Sequence, residues 1–224
     1  AGIAAAKDDS NGVVGVAPGA RLWAIKVLDR YGSGSLSNVI SGIDYVASKS
    51  SYIEVANLSL TTSNSLSLNS SIQKAAAKGI TFVVAVGNNK IDASKISPAN
   101  SPDVIAVSAI VDTDGKCGGM GQSTPYGPDD TFASFSNYGS VIDIAAPGVA
   151  IYSTYKTGAY ATMSGTSQAS PHVAGAAAII KSQNSTLSPS QIKDILLSDG
   201  VKYGTACNGG STGYFTGDPD SIQE

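Results

Sequence analysis

Two kinds of apolar pattern alternate along this chain. Short continuous apolar runs predict strands, and apolar residues that recur every three or four positions predict helices. The predicted strands cover 22–28, 53–60, 81–86, 104–111 and 141–145, and 151–155 with 160–163 form a hairpin around Gly158. The predicted helices lie at about 36–47, 72–76, 166–182 and 189–197. We therefore expect strands and helices to follow one another through most of the chain.

This alternation is typical of an α/β fold of three layers, with a mostly parallel central sheet and helices on both faces. The run 81–86 is almost wholly apolar, as expected of a strand that is buried on both faces. Ser188 to Gln191 form a capping box with a proline at the first helical position. Since no linker or repeat divides the chain, we expect residues 1–224 to belong to one domain. Residues 116–130, rich in Gly, Pro, Asp and Ser, predict a long surface insertion.

Composition narrows the choice of partners. Charged residues make up only 14% of the chain, which argues against disorder. The net charge of −3 gives no reason to expect a nucleic acid or an anionic membrane as a partner, and we expect a monomer. No apolar run approaches the roughly 20 residues of a membrane helix. Cys117 and Cys207 could form a disulfide or remain free thiols.

The candidate chemistry is concentrated in the segment 164–175, which reads SGTSQASPHVAG. It places Ser167 just after Gly165, at the start of a helix made of small residues. A serine at that point exposes its hydroxyl beside the backbone N–H groups and the positive end of the helix. A nucleophilic serine needs both features, so Ser167 is the candidate nucleophile.

This segment resembles the nucleophile motif of the subtilases, the subtilisin-like serine proteases, whose usual form is G-T-S-M-A-[ST]-P-H-V-A-G. Only Gln168 departs from it, in the place of methionine. The resemblance implies a serine endopeptidase that forms an acyl-enzyme on Ser167 and cuts extended polypeptides. The strand that ends in Gly87 and Asn88 resembles the family's strand ending in A-G-N. This implies that Asn88 stabilises the oxyanion together with the Ser167 N–H.

The general base is not evident in the sequence. His172 is the single histidine, and its separation of five residues from Ser167 rotates it by roughly 140° around a helix. We therefore interpret His172 as a packing residue whose ring nitrogen finds a backbone partner. In subtilases the aspartate and histidine of the triad precede the serine, and residues 1–6 look like the end of the histidine motif.

The resemblance therefore implies a fragment of a peptidase domain. This fragment lacks the N-terminal strand and helix region of the domain, and it therefore also lacks the catalytic Asp and His. That N-terminal part of the same domain would be a partner of the fragment. The alternative is a catalytically inactive module that binds extended peptides without cutting them.

Two further segments resemble the walls of the family's substrate cleft. Gly32, Ser33 and Gly34 resemble the edge that pairs with an extended substrate. Ser59, Leu60 and Thr61 resemble the opposite wall, in which Thr61 replaces the usual glycine. Ordinary turns or a buried strand are the alternative explanation for both segments.

The loop 7–13 resembles the family's calcium loop. The resemblance implies a structural Ca²⁺ bound by the Asp9 side chain and the carbonyls of Lys7, Asn11 and Val13, although a solvated acidic loop is an equal alternative. It also implies a secreted protein.

Two other patterns carry weaker functional hypotheses. Residues 112–115 read DTDG, which predicts a turn rather than a catalytic carboxylate. A G-x-G-x-x-S pattern begins at Gly32 and is similar to a dinucleotide-binding loop, but the third glycine is missing.

Overall fold

The computed structural model describes residues 1–116, 118–200 and 217–220. The α-helices are α1 (Gly2–Ala5), α2 (Leu36–Ser48), α3 (Leu66–Ala76), α4 (Thr166–Gln183) and α5 (Pro189–Asp199), with short 3₁₀ turns at Ala93–Lys95 and Lys156–Gly158. The strands are β1 (Val55–Leu58), β2 (Thr62–Ser63), β3 (Thr81–Ala85), β4 (Ile96–Ser97), β5 (Val104–Val111), β6 (Thr131–Phe132), β7 (Ile144–Pro147), β8 (Ile151–Thr154) and β9 (Tyr160–Met163).

The central sheet is mostly parallel, as predicted. β1 pairs with β3, β3 with β5 and β5 with β7, all in parallel, and β6 adds an antiparallel pair to β5. Two antiparallel pairs lie outside this sheet: β2 with β4, and the predicted hairpin of β8 with β9. The carboxyl ends of β1 and β3 thus lie side by side, and in open α/β sheets such ends are where ligands bind.

Each face of the sheet has its own apolar core. In β3, Phe82 and Val84 pack in the core that includes residues of α2 and α3, whereas Val83 points to the core formed with α4 and α5. β5 alternates in the same way, because successive side chains of a strand point to opposite faces. All five residues of β3 are buried. Helices therefore cover both faces, and the predicted three-layer α/β architecture is confirmed.

The predicted helices form, and serine side chains cap three of them. Ser35 and Ser65 accept hydrogen bonds from the backbone N–H groups of Asn38 and Leu68, which caps α2 and α3. The capping box at Ser188 is present in full. No helix in the described ranges is both long and apolar enough to cross a membrane.

The prediction of a strand at 22–28 is wrong for this structure, since these residues form no hydrogen-bonded ladder. The segment keeps the alternation of a strand. Ile25 and Val27 pack against the core beside α2, while Leu22 and Trp23 remain exposed. Alternation of apolar and polar residues indicates only which side of a segment faces the core. To form a strand, the segment also needs a neighbouring strand that forms hydrogen bonds with its backbone groups.

The segment 116–130 is mostly exposed, as predicted for an insertion, but Asp129 within it is buried. Its carboxylate accepts hydrogen bonds from the N–H groups of Thr113 and Gly121, and these bonds compensate the burial of a charge. The two cysteines lie outside the described residues.

Candidate active site

Ser167 lies in the first turn of α4, and this helix begins directly after a glycine that no other residue could easily replace. Gly165 has φ 153° and precedes the helix. Among the described residues, the Ser167 N–H finds no acceptor, while the N–H groups on either side of it do: Thr166 donates to Asn88 Oδ1 and Gln168 to the Gly165 carbonyl. One backbone donor at the positive end of an 18-residue helix thus remains free beside the Ser167 hydroxyl.

Asn88 is held next to this donor by Thr166. The Thr166 N–H and hydroxyl both donate to Asn88 Oδ1, at 2.8 and 3.0 Å. Because a backbone N–H can only donate, the amide oxygen must face Thr166 and the amide nitrogen faces away. Asn88 Nδ2 has no acceptor within the described part of the chain and is exposed. The site therefore presents a second free N–H donor on Asn88, which is hydrogen-bonded to Thr166, the residue next to Ser167 in α4.

The turn that carries Asn88 is fixed from beneath by Asn137, which is fully buried. Asn137 donates to the Val86 carbonyl at 2.8 Å and accepts from the N–H groups of Asn89 and Ile91. Gly87 has φ +105°, and a Cβ there would lie 2.6 Å from Asn137 Nδ2. Only glycine fits this position, and the turn that holds Asn88 is rigid.

A second polar network reaches Ser167 from β1. Ser59 Oγ donates to the Ser167 carbonyl at 2.9 Å and accepts from Asn57 Nδ2 at 3.0 Å. Asn57 Oδ1 in turn accepts from Ser170 Oγ at 2.7 Å. The Ser167 hydroxyl itself lies 3.5 Å from the Ser59 carbonyl, a long contact that leaves it able to move towards a substrate.

The ring of His172 finds a backbone partner in its own helix, as predicted. Its Nδ1 lies 2.9 Å from the Gln168 carbonyl, one helical turn earlier. Burial lowers the pKa of His172 below its ordinary value, although the carbonyls of Gln168 and Ala169 and the charge of Asp112 oppose that effect. The ring is a neutral packing group, and it is not the base for Ser167.

Comparison with known proteins decides the family. The model of the Subtilase family matches residues 1–213. The chain belongs to the subtilase family. It is 41% identical over 184 residues to alkaline serine exoprotease A of Vibrio alginolyticus and 41% identical over 219 residues to subtilisin DY of Bacillus licheniformis. A crystal structure of a cold adapted subtilisin-like serine proteinase superposes with a TM-score of 0.75 at 36% identity, covering 94% of this chain and 70% of that chain.

This subtilase chain is shorter than its relatives. The matched part is 82% of this chain but 32% of the exoprotease, and it is 96% of this chain and 71% of subtilisin DY. The family establishes a serine protease ancestry.

The first predicted substrate segment forms a closed loop. Asp29 Oδ1 accepts from the N–H groups of Tyr31 and Ser33, and the Asp29 N–H donates to the Ser33 carbonyl. Ser33 thus has both backbone groups engaged within the loop. In the described ranges, no hydrogen bond joins Gly32, Ser33 or Gly34 to Ser167 or to the opposite wall.

The second segment, Ser59 to Thr61, lies at the carboxyl end of β1 and contacts Ser167 through Ser59. Leu60 packs against the core and Thr61 is exposed. The structure thus brings together Ser167, Asn88 and this wall, three of the elements that the sequence proposed for the site.

The predicted calcium loop contains oxygen donors of the type that Ca²⁺ prefers. Among its carboxylates, that of Asp9 is the one proposed as a ligand. Asp9 Oδ1 accepts from the Asn11 N–H, and the Asn11 amide donates to the Asp9 carbonyl. This turn is exposed and leaves Asp9 Oδ2 and the carbonyls of Lys7, Asn11 and Val13 as candidate ligands. The donor set fits Ca²⁺ in kind, although four ligands fall short of the six to eight that Ca²⁺ prefers.

A group of three carboxylates was not anticipated. Oxygen atoms of Asp112, Asp129 and Asp130 lie within 4.8 Å of one another. Burial, with the charges of Asp130 and Asp129, raises the pKa of Asp112 despite the N–H donor from Gly115. The predicted DTDG turn does form, through Asp112 Oδ1 and the Gly115 N–H. No motif in the sequence indicated that Asp129 and Asp130 lie close to Asp112.

Sequence reasoning also missed the residues that hold the site in place. Thr166 and Ser170 belong to the nucleophile motif and are fully buried, so their motif positions were the available signal. Asn57 and Asn137 had no such signal, because the residues they bind are 113 and 51 positions away along the chain.

Proposed function

We propose that this chain is part of a serine endopeptidase in which Ser167 forms an acyl-enzyme with the substrate. The observation that carries the proposal is the pair of free N–H donors, on Asn88 and on Ser167, beside a serine hydroxyl at a helix N-terminus. Such donors stabilise negative charge that develops on a carbonyl oxygen. The 40% identity to subtilisins supports the same reading.

The proposed reaction follows the chemistry of acyl transfer. Ser167 Oγ attacks the scissile carbonyl carbon while a base takes the hydroxyl proton. The carbonyl oxygen becomes an oxyanion bound by Asn88 Nδ2 and the Ser167 N–H. The base then gives its proton to the leaving amine, and a water molecule hydrolyses the ester on Ser167.

We propose that the base and the carboxylate that orients it come from a part of the protein outside these 224 residues. His172 is engaged with the Gln168 carbonyl and cannot serve. Within the part of the chain that the structure describes, β3 is the one ladder partner of β1, so the other edge of β1 is unpaired there. A further parallel strand on that edge would end beside Ser59, and so beside Ser167. A catalytic group carried there would lie within reach of the hydroxyl.

The test compares the 224-residue chain with the intact protein, meaning the product of the complete gene. Both are assayed on casein and on a chromogenic peptide. We expect Ser167-dependent cleavage by the intact protein and none by the chain, since loss of the base from subtilisin, a relative, costs on the order of 10⁶ in kcat. Efficient cleavage by the chain alone would contradict the external base. Peptide binding by the intact protein without cleavage would favour the inactive peptide-binding module.

We further propose that the protein acts outside the cell as a monomer and that the loop around Asp9 binds a structural Ca²⁺. Detection of the mature protein in the culture medium tests the first part. Sedimentation tests whether it is a monomer, and the dependence of Tm on CaCl₂ and EDTA tests the calcium site.

A further inference from the structure

Thr61 and Gly87 face each other across a crevice at the carboxyl ends of β1 and β3. The parallel ladder pairs Leu58 with Val84, and continuing that register places Thr61 opposite Gly87. The structure agrees: Thr61 Cγ2 lies 3.5 Å from the position that a Cβ on Gly87 would take. The threonine methyl group therefore fills space that glycine leaves open on the other side.

Hydrogen bonds hold both walls of this crevice in place. On one side, Gly87 donates its N–H to Thr166 Oγ1 at 3.0 Å, and its carbonyl accepts from the Asn137 N–H at 3.0 Å. On the other side, Thr62 pairs with Ser97 in the ladder of β2 and β4, directly after Thr61. The width between Thr61 and Gly87 is therefore set by the framework rather than by a mobile loop.

The crevice lies beside the reacting atoms. Asn88 follows Gly87, and Ser59, two residues before Thr61, donates to the Ser167 carbonyl. A substrate carbonyl held by Asn88 and the Ser167 N–H has its α-carbon one bond away. The side chain on that carbon must then enter between the two strand ends.

We propose that Thr61 restricts this side chain to a small one, so that the enzyme cleaves polypeptides after Gly, Ala or Ser. The inference rests on the proposed peptidase function and deepens it, since it names the substrate class. Because the χ1 angle of a β-branched residue is restricted, a simple change of rotamer does not readily withdraw the methyl group of Thr61 from the crevice. A large side chain would meet Thr61 Cγ2 before it reached the floor at Gly87.

The test uses the intact protein and two peptide p-nitroanilides that differ only in the last residue, Ala or Phe. We expect kcat/KM to favour Ala by about tenfold or more, the range in which pocket size discriminates. In Thr61→Gly the Phe peptide should gain about tenfold or more relative to Ala. Thr61→Ser, which keeps the hydroxyl and loses the methyl group, should move in the same direction. Thr157→Gly, an exposed threonine in the turn between β8 and β9, is the matched control and should leave the ratio unchanged.

The outcomes separate the two ideas. Equal cleavage of both peptides by the parent protein, or an unchanged ratio in Thr61→Gly with normal folding by circular dichroism, would overturn the role of Thr61 and leave the peptidase assignment intact. If the intact protein shows no cleavage that is lost in Ser167→Ala, the proposed function is overturned, and this inference is overturned with it.

Discussion

Asn88 and Thr166 are joined by two hydrogen bonds that both end on Asn88 Oδ1, from the Thr166 N–H and from the Thr166 hydroxyl. The pair links the end of β3 to the start of α4. These two bonds fix the orientation of the Asn88 amide. Its oxygen accepts from Thr166, so the amide N–H₂ faces the space beside Ser167. A donor fixed before the reaction needs no reorganisation when the oxyanion forms.

Replacement of Asn88 by Ala should therefore lower kcat of the intact protein and leave KM nearly unchanged. Loss of one oxyanion donor from subtilisin costs about 10²–10³ in kcat, and we expect the same order from this relative of it. Peptide hydrolysis measured over a range of substrate concentrations separates the two constants. Asn89→Ala, at the exposed neighbouring position, is the control and should keep kcat. A fall in Asn88→Ala seen only in KM would contradict the oxyanion role.

Replacement of Thr166 by Val tests the positioning of Asn88 separately. Valine removes the hydroxyl that donates to Asn88 Oδ1 and accepts from the Gly87 N–H, in a fully buried position. The orphaned N–H should lower the free energy of unfolding by about 1–3 kcal/mol. The effect on kcat should be smaller than in Asn88→Ala, because the Thr166 N–H still holds Asn88. Thr166→Ser should restore kcat, and a valine variant with the parent kcat would rule out the positioning role.

These contacts show which parts of the molecule can be predicted from sequence. β5 and the hairpin of β8 and β9 were predictable because their signal is local: an apolar run, or two short strands around a glycine turn. The proximity of Ser167 and Asn88 was predictable because each residue belongs to a recognisable motif. The interaction of Asn57 with Ser170 was not, since it depends on how β1 packs beneath α4.

The segment 22–28 was predicted as a strand and does not form one in the structure. Its apolar run predicts a strand, and the pattern does reflect burial, since Ile25 and Val27 contact the core. Whether such a segment becomes a strand depends on a neighbour elsewhere in the chain, which the pattern does not contain. Burial of Asp129 was likewise unpredictable, because its donors Thr113 and Gly121 lie 16 and 8 positions earlier along the loop.

Lys193 connects α5 to the sheet at the end remote from the site. Its Nζ lies 2.7 Å from Asp143 Oδ1 and donates to the Val104 carbonyl at 3.0 Å, while Asp143 Oδ2 accepts from the Ala106 N–H. Lys193→Met should lower the free energy of unfolding by about 1–2 kcal/mol, because it leaves a half-buried carboxylate without its cation. Urea denaturation checks this, with Lys116→Met in an exposed loop as the control. A loss equal to that of the control would show that the ion pair is not stabilising.

Calcium should stabilise the protein if the loop around Asp9 binds it. A ligand at ten times its Kd adds about 1.4 kcal/mol to the free energy of unfolding. We expect Tm to rise with added CaCl₂, to fall again with EDTA, and to become insensitive to both in Asp9→Ala. Asp112→Asn serves as the second variant, because Asp112 belongs to the other group of carboxylates. A calcium effect that survives in Asp9→Ala and disappears in Asp112→Asn would place the ion at that group instead.

The half-buried ring of His172 should make stability depend on pH. Burial lowers its pKa in the folded protein below the ordinary value of 6.5, so the unfolded chain binds the proton more readily. The unfolded state therefore gains protons first as the pH falls, and the free energy of unfolding decreases below about pH 6.5 until the folded pKa is passed. Above that range His172 is neutral in both states and contributes no slope.

His172→Asn isolates this contribution, because asparagine offers an N–H donor to the Gln168 carbonyl and does not titrate. Asp112, whose charge acts on the ring, is unchanged in both proteins and its own titration largely cancels in the comparison. We expect the stability of the parent relative to His172→Asn to decrease as the pH is lowered from 7.5 to 5.5, measured by urea denaturation. A difference that stays constant would mean that the ring gains its proton equally in both states. A difference that grows would mean that the folded protein stabilises the imidazolium form, and the neutral packing role would then be wrong.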